Sequence, residues 1–137
     1  MKLNHLAVLV SALVYFFLGF LWYGILFAKP WMALEGITPD TMPRQNIALN
    51  YLIAFVMGVV IAYALAILCK WRSAGAARGV LLGIFAWCAF VLTTAFPTSL
   101  FENRPHELFL INYGYCLVGF ILMGAIIGGW KKKLVQI

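Results

Sequence analysis

Four long apolar runs make up most of the chain, and the connections between them carry most of the charges and prolines. The runs cover approximately residues 6–27, 47–68, 79–96 and 108–129. A helix rises about 1.5 Å per residue, so a run of about 22 residues reaches about 33 Å, close to the roughly 30 Å of a bilayer's hydrocarbon core. The pattern therefore predicts an all-α fold, in which residues 1–137 form one domain, a four-helix transmembrane bundle.

The connections indicate where each span ends. Pro97 lacks the N–H that continues a helix, so we expect the third span to end before it, with a hairpin tip running on to Glu107. At the far end of the first span, aromatic rings collect as they do at headgroup depth. These are Trp22, Tyr23 and Trp31.

The composition supports a membrane protein. The chain is 65% hydrophobic and 10% charged, whereas soluble domains are about 45–50% apolar and about 25% charged. A soluble fold of 137 residues has too little interior to bury so much apolar surface. Membrane lipid is therefore the first expected partner. The first run exceeds the roughly 7–15 apolar residues of a signal peptide, so we expect it to remain as a span.

Basic residues predict how the chain crosses the membrane. The net charge is +6, but the basic residues form no face or stripe, so the pattern does not favour nucleic-acid binding. Seven lie on the side of the two termini: Lys2, Lys70, Arg72, Arg78, Lys131, Lys132 and Lys133. Three lie on the other side: Lys29, Arg44 and Arg104. Positive residues stay in the cytoplasm, so we expect both termini inside the plasma or inner membrane.

Polar residues within the spans predict a pocket that opens outward. A polar side chain in lipid needs a partner, and Asn50 and Asn112 each begin a polar stripe near the outer end of a span. We expect these stripes to line a ligand pocket, with a charged tip above and an aromatic rim. The candidate residues are Asn50, Asn112, Tyr115, Glu102, Arg104, His106, Trp22, Tyr23 and Trp31. Alternatively, the two asparagines simply form hydrogen bonds across helices and hold the bundle together.

The charged tip also invites an enzyme hypothesis, because a carboxylate beside His106 could move protons. However, Arg104 can pair with Glu102 or Glu107, and the sequence has no recognised nucleophile motif. His106 and Glu102 are too few to argue for a metal site. Three cysteines also lack metal spacing. We therefore assign no catalytic residue, and we expect no metal and no cofactor.

Two glycine pairs predict close helix packing, either within the chain or between chains. They are Gly79-xxx-Gly83 and Gly124-xxx-Gly128. Four spans with little mass outside the membrane offer no obvious water-filled path through one copy. If the protein passes a solute, we expect it to do so as a homo-oligomer.

Several segments are similar to one known family. They are residues 4–10, Trp22-Tyr23-Gly24, Lys29-Pro30-Trp31-Met32 and the stretch from Phe101 to Trp130, with Trp87, Phe90 and Thr93 in the third span. The last stretch contains Phe101-Glu102-Asn103-Arg104, Leu108-Phe109-Leu110-Ile111-Asn112, Gly114-Tyr115 and Met123-Gly124-Ala125-Ile126. Together they resemble the bacterial membrane family catalogued as domain of unknown function 1761. The resemblance implies four spans and no particular activity. Cys116 departs from it, because a more polar residue such as histidine is expected there.

Three functional hypotheses follow. The first is a non-catalytic oligomer that binds or passes a small solute or lipid through the outward-facing pocket, where Arg104 holds an anionic group. The second is an interaction or scaffold subunit that docks on a larger membrane protein. The third is a lipid-acting membrane enzyme that uses His106 and a glutamate as acid and base.

Overall fold

The computed structural model describes residues 3–38, 40, 47–71 and 75–130, and every regular element within these ranges is helical. Several residues used to predict the membrane orientation lie outside the described residues. They are Lys2, Arg44, Arg72, Lys131, Lys132 and Lys133.

Six α-helices and two π-helical segments occupy these ranges. They are α1 (His5–Leu21), a first π segment (Trp22–Leu26), α2 (Ala28–Glu35), α3 (Ile47–Trp71), α4 (Ala76–Ala86), a second π segment (Trp87–Leu92), α5 (Thr93–Phe101) and α6 (His106–Gly129). Each π segment continues the helix before it.

Four helical stretches are long and apolar enough to cross a membrane. They are His5–Leu26, Ile47–Lys70, Ala76–Phe101 and His106–Gly129. This confirms the predicted all-helical fold with four spans, and the chain is a multi-pass membrane protein. We call the end of the bundle that carries α2 and the turn between α5 and α6 the tip end, and the opposite end the terminal end.

The third span differs from its predicted length. The prediction ended it before Pro97, whereas α5 continues through this proline to Phe101. Threonine hydroxyls make extra bonds to the helix backbone on both sides: Thr94 Oγ1 lies 2.6 Å from the Phe90 carbonyl, and Thr98 Oγ1 lies 2.9 Å from the Thr94 carbonyl. Transmembrane helices tolerate proline where threonine side chains and wider turns satisfy the freed backbone groups. The chain turns instead at Asn103, where φ is 56°.

The four spans share one core. Its buried members come from α1, α3, α4, the second π segment and α6, and they are Val8, Ala62, Leu65, Ala66, Ala86, Trp87, Phe120 and Met123. Elsewhere most large apolar side chains are exposed. In a membrane this outer surface faces lipid, as expected when lipid replaces water as the solvent.

At the terminal end, α4 and α6 touch through their backbones. A β-carbon built on Gly79 would overlap the carbonyl oxygen of Gly124, and one on Gly83 would overlap that of Phe120. A β-carbon on Gly128 would lie 2.6 Å from the carbonyl oxygen of Gly75. The glycine pairs therefore join two helices of the same chain, and they leave no space between α4 and α6 at this end.

Candidate functional site

At the tip end, two π segments present side chains to three consecutive residues of α6. Trp22 Nε1 donates to the Ile111 carbonyl at 2.9 Å, and the Tyr23 hydroxyl donates to Asn112 Oδ1 at 2.9 Å. From the second π segment, Trp87 Nε1 donates to the Tyr113 carbonyl at 3.1 Å. A π turn holds an extra residue, which changes the direction of the side chains that follow, and such turns are frequent at functional sites.

An aromatic cluster surrounds Tyr115 on the side of α1 and α2. The Tyr115 ring centre lies 4.7 Å from that of Tyr15 and 5.5 Å from that of Tyr23. Tyr23 also contacts Trp31 at 5.4 Å, and Trp22 contacts Tyr115 at 6.3 Å. The Tyr115 hydroxyl donates to the Tyr15 carbonyl at 2.7 Å. Hydrogen bonds satisfy the polar ends of Trp22, Tyr23 and Tyr115, and the rings of the cluster pack against one another.

A small polar pocket lies between α5 and α6, and we call it the tip pocket. Its volume is about 60 Å³, and it is lined by Ala95, Thr98, Ser99, Glu102, Arg104, Leu108, Phe109, Asn112 and Tyr113. One water needs about 10–15 Å³ on this scale, so the pocket has room for about four to five non-hydrogen atoms. Ser99 is only 8% exposed and lines this pocket.

Arg104 and Glu102 form the charged side of the tip pocket, and Glu35 pairs with Arg104 from outside it. Arg104 Nη2 lies 3.3 Å from Glu35 Oε2, and Arg104 Nε lies 3.9 Å from Glu102 Oε2. Glu35 ends α2, so this ion pair ties α2 to the turn that follows α5. Arg104 is therefore already engaged by carboxylates, and the three side chains together carry one net negative charge. This argues against Arg104 as the anchor for an anion.

The tip pocket contains three of the nine residues that the sequence proposed for a binding pocket: Glu102, Arg104 and Asn112. Asn112 also connects the tip pocket to the aromatic cluster, through Tyr23. Four more of the nine belong to that cluster: Trp22, Tyr23, Trp31 and Tyr115.

Asn50 and His106 lie outside the tip pocket. Every residue from 47 to 54 is exposed, and the hydrogen bond to the Asn112 amide oxygen comes from Tyr23. His106 is the exposed first residue of α6, and its ring centre lies 6.1 Å from that of Phe96. Neither residue lines the tip pocket.

The sequence prediction missed three residues at the site: Thr98 and Ser99 line the tip pocket, and Glu35 pairs with Arg104. Thr98 and Ser99 follow Pro97, which was interpreted as the start of a loop. Treating a proline flanked by threonines as tolerated within a span would have placed both on a helix. Glu35 had no such signal, because it lies 69 residues from its partner Arg104.

Within the described ranges, no group of three or more His, Cys, Asp or Glu residues could hold a metal ion. The tip pocket instead offers hydroxyl, amide, carboxylate and guanidinium groups beside two aromatic rings. This donor set suits a small polar organic molecule, bound through a few hydrogen bonds beside an apolar surface.

The fold and the site together define a multi-pass helical membrane protein with a small polar pocket at one end of the bundle. The family described as "Protein of unknown function (DUF1761)" matches residues 6–128, so the chain belongs to this family, as the resemblance predicted. No curated protein and no solved structure matches the chain.

Proposed function

We propose that this protein binds a small polar solute or lipid headgroup in the tip pocket, without catalysis. The observation that carries the proposal is a cavity of about 60 Å³ lined by the side chains of Ser99, Glu102 and Arg104. Ser99 is only 8% exposed, and a polar group in a membrane span is costly unless it has a partner. A solute in the cavity could form hydrogen bonds with all three side chains.

The orientation is part of the proposal. The excess of basic residues on the side of the termini favours a cytoplasmic location for both, in the plasma or inner membrane. The tip pocket would then open towards the outside of the cell. The protein would thus take its ligand from the exterior or from the outer leaflet.

Binding is better supported than passage through one copy. Below the tip pocket, Gly79, Gly83 and Gly124 bring α4 and α6 into backbone contact. A solute cannot pass between helices that touch in this way unless they separate. Passage would therefore require either a large movement of α4 or a homo-oligomer that builds a path between copies.

The alternative functions receive less support from the geometry. A lipid-acting enzyme needs an acid–base pair, and the ring contact of His106 is with Phe96 rather than with a carboxylate. A scaffold subunit needs a surface that a partner protein covers better than lipid does. The open groove of about 430 Å³ along α1 is lined by side chains such as Leu13, Phe17 and Leu122, which acyl chains cover equally well.

Removing the Ser99 hydroxyl tests the proposal. The thermal unfolding midpoint of the purified protein in lipid nanodiscs would be measured with ethanolammonium, ethylene glycol and glycolate, which have similar size and different charge. A ligand at about a hundred times its Kd stabilises the folded state by about 2.7 kcal/mol, so we expect at least one to raise the midpoint. We expect Ser99→Val to abolish the rise, because valine fills the pocket and removes the hydroxyl.

Cys88→Val is the matched control for this experiment. Cys88 is exposed in the same span and does not line the tip pocket, so this variant should keep the full rise. If none of the three compounds stabilises the wild type, or if Ser99→Val keeps the rise, the tip pocket is not a binding site of this kind.

A further inference from the structure

We infer that the tip pocket recognises a primary ammonium group on a short chain, of the ethanolamine type, either as a free amine or as a lipid headgroup. The inference rests on the proposed function, because it names the chemical class of the ligand for that pocket. Three independent features carry it: the charge around the pocket, the hydrogen-bonding groups that line the pocket, and the size of the cavity.

The net charge of the side chains around the pocket favours a cationic ligand. Arg104 is held at 3.3 Å by Glu35, which does not line the pocket, and more loosely at 3.9 Å by Glu102, which does. The Glu102 carboxylate can therefore turn to a ligand without leaving Arg104 unpaired. An anion would have to displace a carboxylate from Arg104 and would then face two negative charges. A cation balances the net negative charge of the three side chains.

The hydrogen-bonding groups match an ammonium, which has three donors and no acceptor. Thr98 Oγ1 already donates its proton to the Thr94 carbonyl at 2.9 Å, so the Thr98 oxygen can only accept a further bond. Ser99 also lines the pocket, and its hydroxyl oxygen can accept a hydrogen bond. With Glu102, the pocket wall offers three acceptors for the three N–H groups.

One donor in the pocket favours a ligand whose short carbon chain also carries an oxygen atom. The amide oxygen of Asn112 accepts from Tyr23 at 2.9 Å, which leaves the Asn112 NH₂ group as a donor. A hydroxyl or ester oxygen two carbons from the ammonium could accept that bond. Phe109 and Tyr113 line the remaining wall and can cover the carbon atoms and face the positive charge.

The volume of the cavity limits the size of the ligand. A group of this size and chemistry has two possible sources. Ethanolammonium has four non-hydrogen atoms, which fits a cavity of about 60 Å³. Choline is larger and has no N–H group. The same two-carbon ammonium is the headgroup of phosphatidylethanolamine, whose phosphate would lie outside the cavity.

The experiment measures the affinity for ethanolammonium chloride, from the thermal unfolding midpoint in nanodiscs made only of phosphatidylcholine. We expect ethanolammonium to raise the midpoint more than ethylene glycol, glycolate or choline at equal concentration. Glu102→Gln removes the charge and keeps the shape, so we expect Kd to rise about tenfold or more. Glu107→Gln is the control, since Glu107 is a nearby exposed glutamate outside the pocket, and its Kd should be unchanged.

A second arm distinguishes the two sources. Native mass spectrometry of protein extracted from vesicles of equal phosphatidylethanolamine and phosphatidylglycerol would show which lipid stays bound. Retention of phosphatidylethanolamine by the wild type and its loss in Glu102→Gln indicates the headgroup. Binding of free ethanolammonium without lipid retention indicates the free amine.

Two results would overturn the inference, and they differ in what they mean for the proposed function. If glycolate or ethylene glycol binds as well as ethanolammonium and Ser99→Val abolishes that binding, the tip pocket is a binding site and only its ligand class is wrong. If Ser99→Val leaves the binding of every compound unchanged, or if nothing binds in either arm, both the ligand class and the binding site are wrong.

Discussion

The bond between Tyr23 and Asn112 shows how single residues hold the tip end together. Asn112 sits in a span, where an unpartnered amide is costly, and the Tyr23 hydroxyl satisfies its oxygen at 2.9 Å. Neighbouring Trp22 satisfies the Ile111 carbonyl in the same way. The Asn112 side chain thus has a fixed orientation, with its oxygen towards α1 and its NH₂ group free for the tip pocket.

Removing this hydroxyl should loosen Asn112 without collapsing the fold. We expect Tyr23→Phe to lower the free energy of unfolding by about 0.6 kcal/mol and by no more than about 1.7 kcal/mol, the average and the maximum for hydrogen bonds between membrane helices. Thermal or denaturant unfolding in detergent would measure this change. Tyr51→Phe is the matched control, because the Tyr51 ring contacts Phe16 and Phe20 and its hydroxyl makes no bond among the described residues. An equal loss in both variants would show that the Asn112 bond has no special role.

At the scale of elements, the third and fourth spans pack differently at the two ends of the bundle. At the terminal end the helices meet through glycine backbones. Towards the tip end the third span contains the second π segment and Pro97, and the tip pocket lies between α5 and α6. The same two spans therefore provide both this glycine contact, which we call the glycine seam, and the cavity.

Adding a methyl group to the seam should force these helices apart. A β-carbon on Gly79 would overlap the backbone of Gly124, which cannot move as a flexible side chain can. We expect Gly79→Ala to lower the free energy of unfolding by about 1–3 kcal/mol, as overpacking does elsewhere. Gly24→Ala is the control, because a β-carbon there meets nothing within 4 Å. If both substitutions have the same effect on the unfolding midpoint, the glycine seam is not a tight contact in the membrane.

For the whole molecule, the distribution of charge relative to the spans predicts one orientation. Seven basic residues belong to the side of the termini and three to the tip side. The tip side also carries all four acidic residues, among them the carboxylates that engage Arg104. The proposed binding of an external ligand depends on this orientation, because the tip pocket opens only at the tip end.

Reporter fusions test the orientation directly. We expect a reporter fused after Ile137 to be active in the cytoplasm, and a reporter inserted at Asn103 to be active outside. Reversing the charge balance, by substituting the three lysines at 131–133 with glutamine and adding lysines in the tip turn, should increase the inverted fraction. An external signal from the fusion after Ile137 in the unmodified chain would place the tip pocket inside the cell instead.

The sequence by itself determined the class of protein, the number of spans and the approximate ends of three of them. These properties follow from hydrophobicity and length, which act locally along the chain. The third span was predicted too short, because a local rule for Pro97 ignored the threonine hydroxyls that bond to the backbone around it. The family resemblance likewise needed only the order of residues.

Only the tertiary structure decided which polar residues meet. The sequence placed Asn50 opposite Asn112, but the partner of Asn112 comes from a π turn in the first span, and residues 47–54 are exposed. Arg104 finds Glu35 across most of the chain, which no local pattern encodes. Such pairings depend on how each helix is rotated about its own axis and on where the π turns occur along it. Both are determined by the packing of all four spans together.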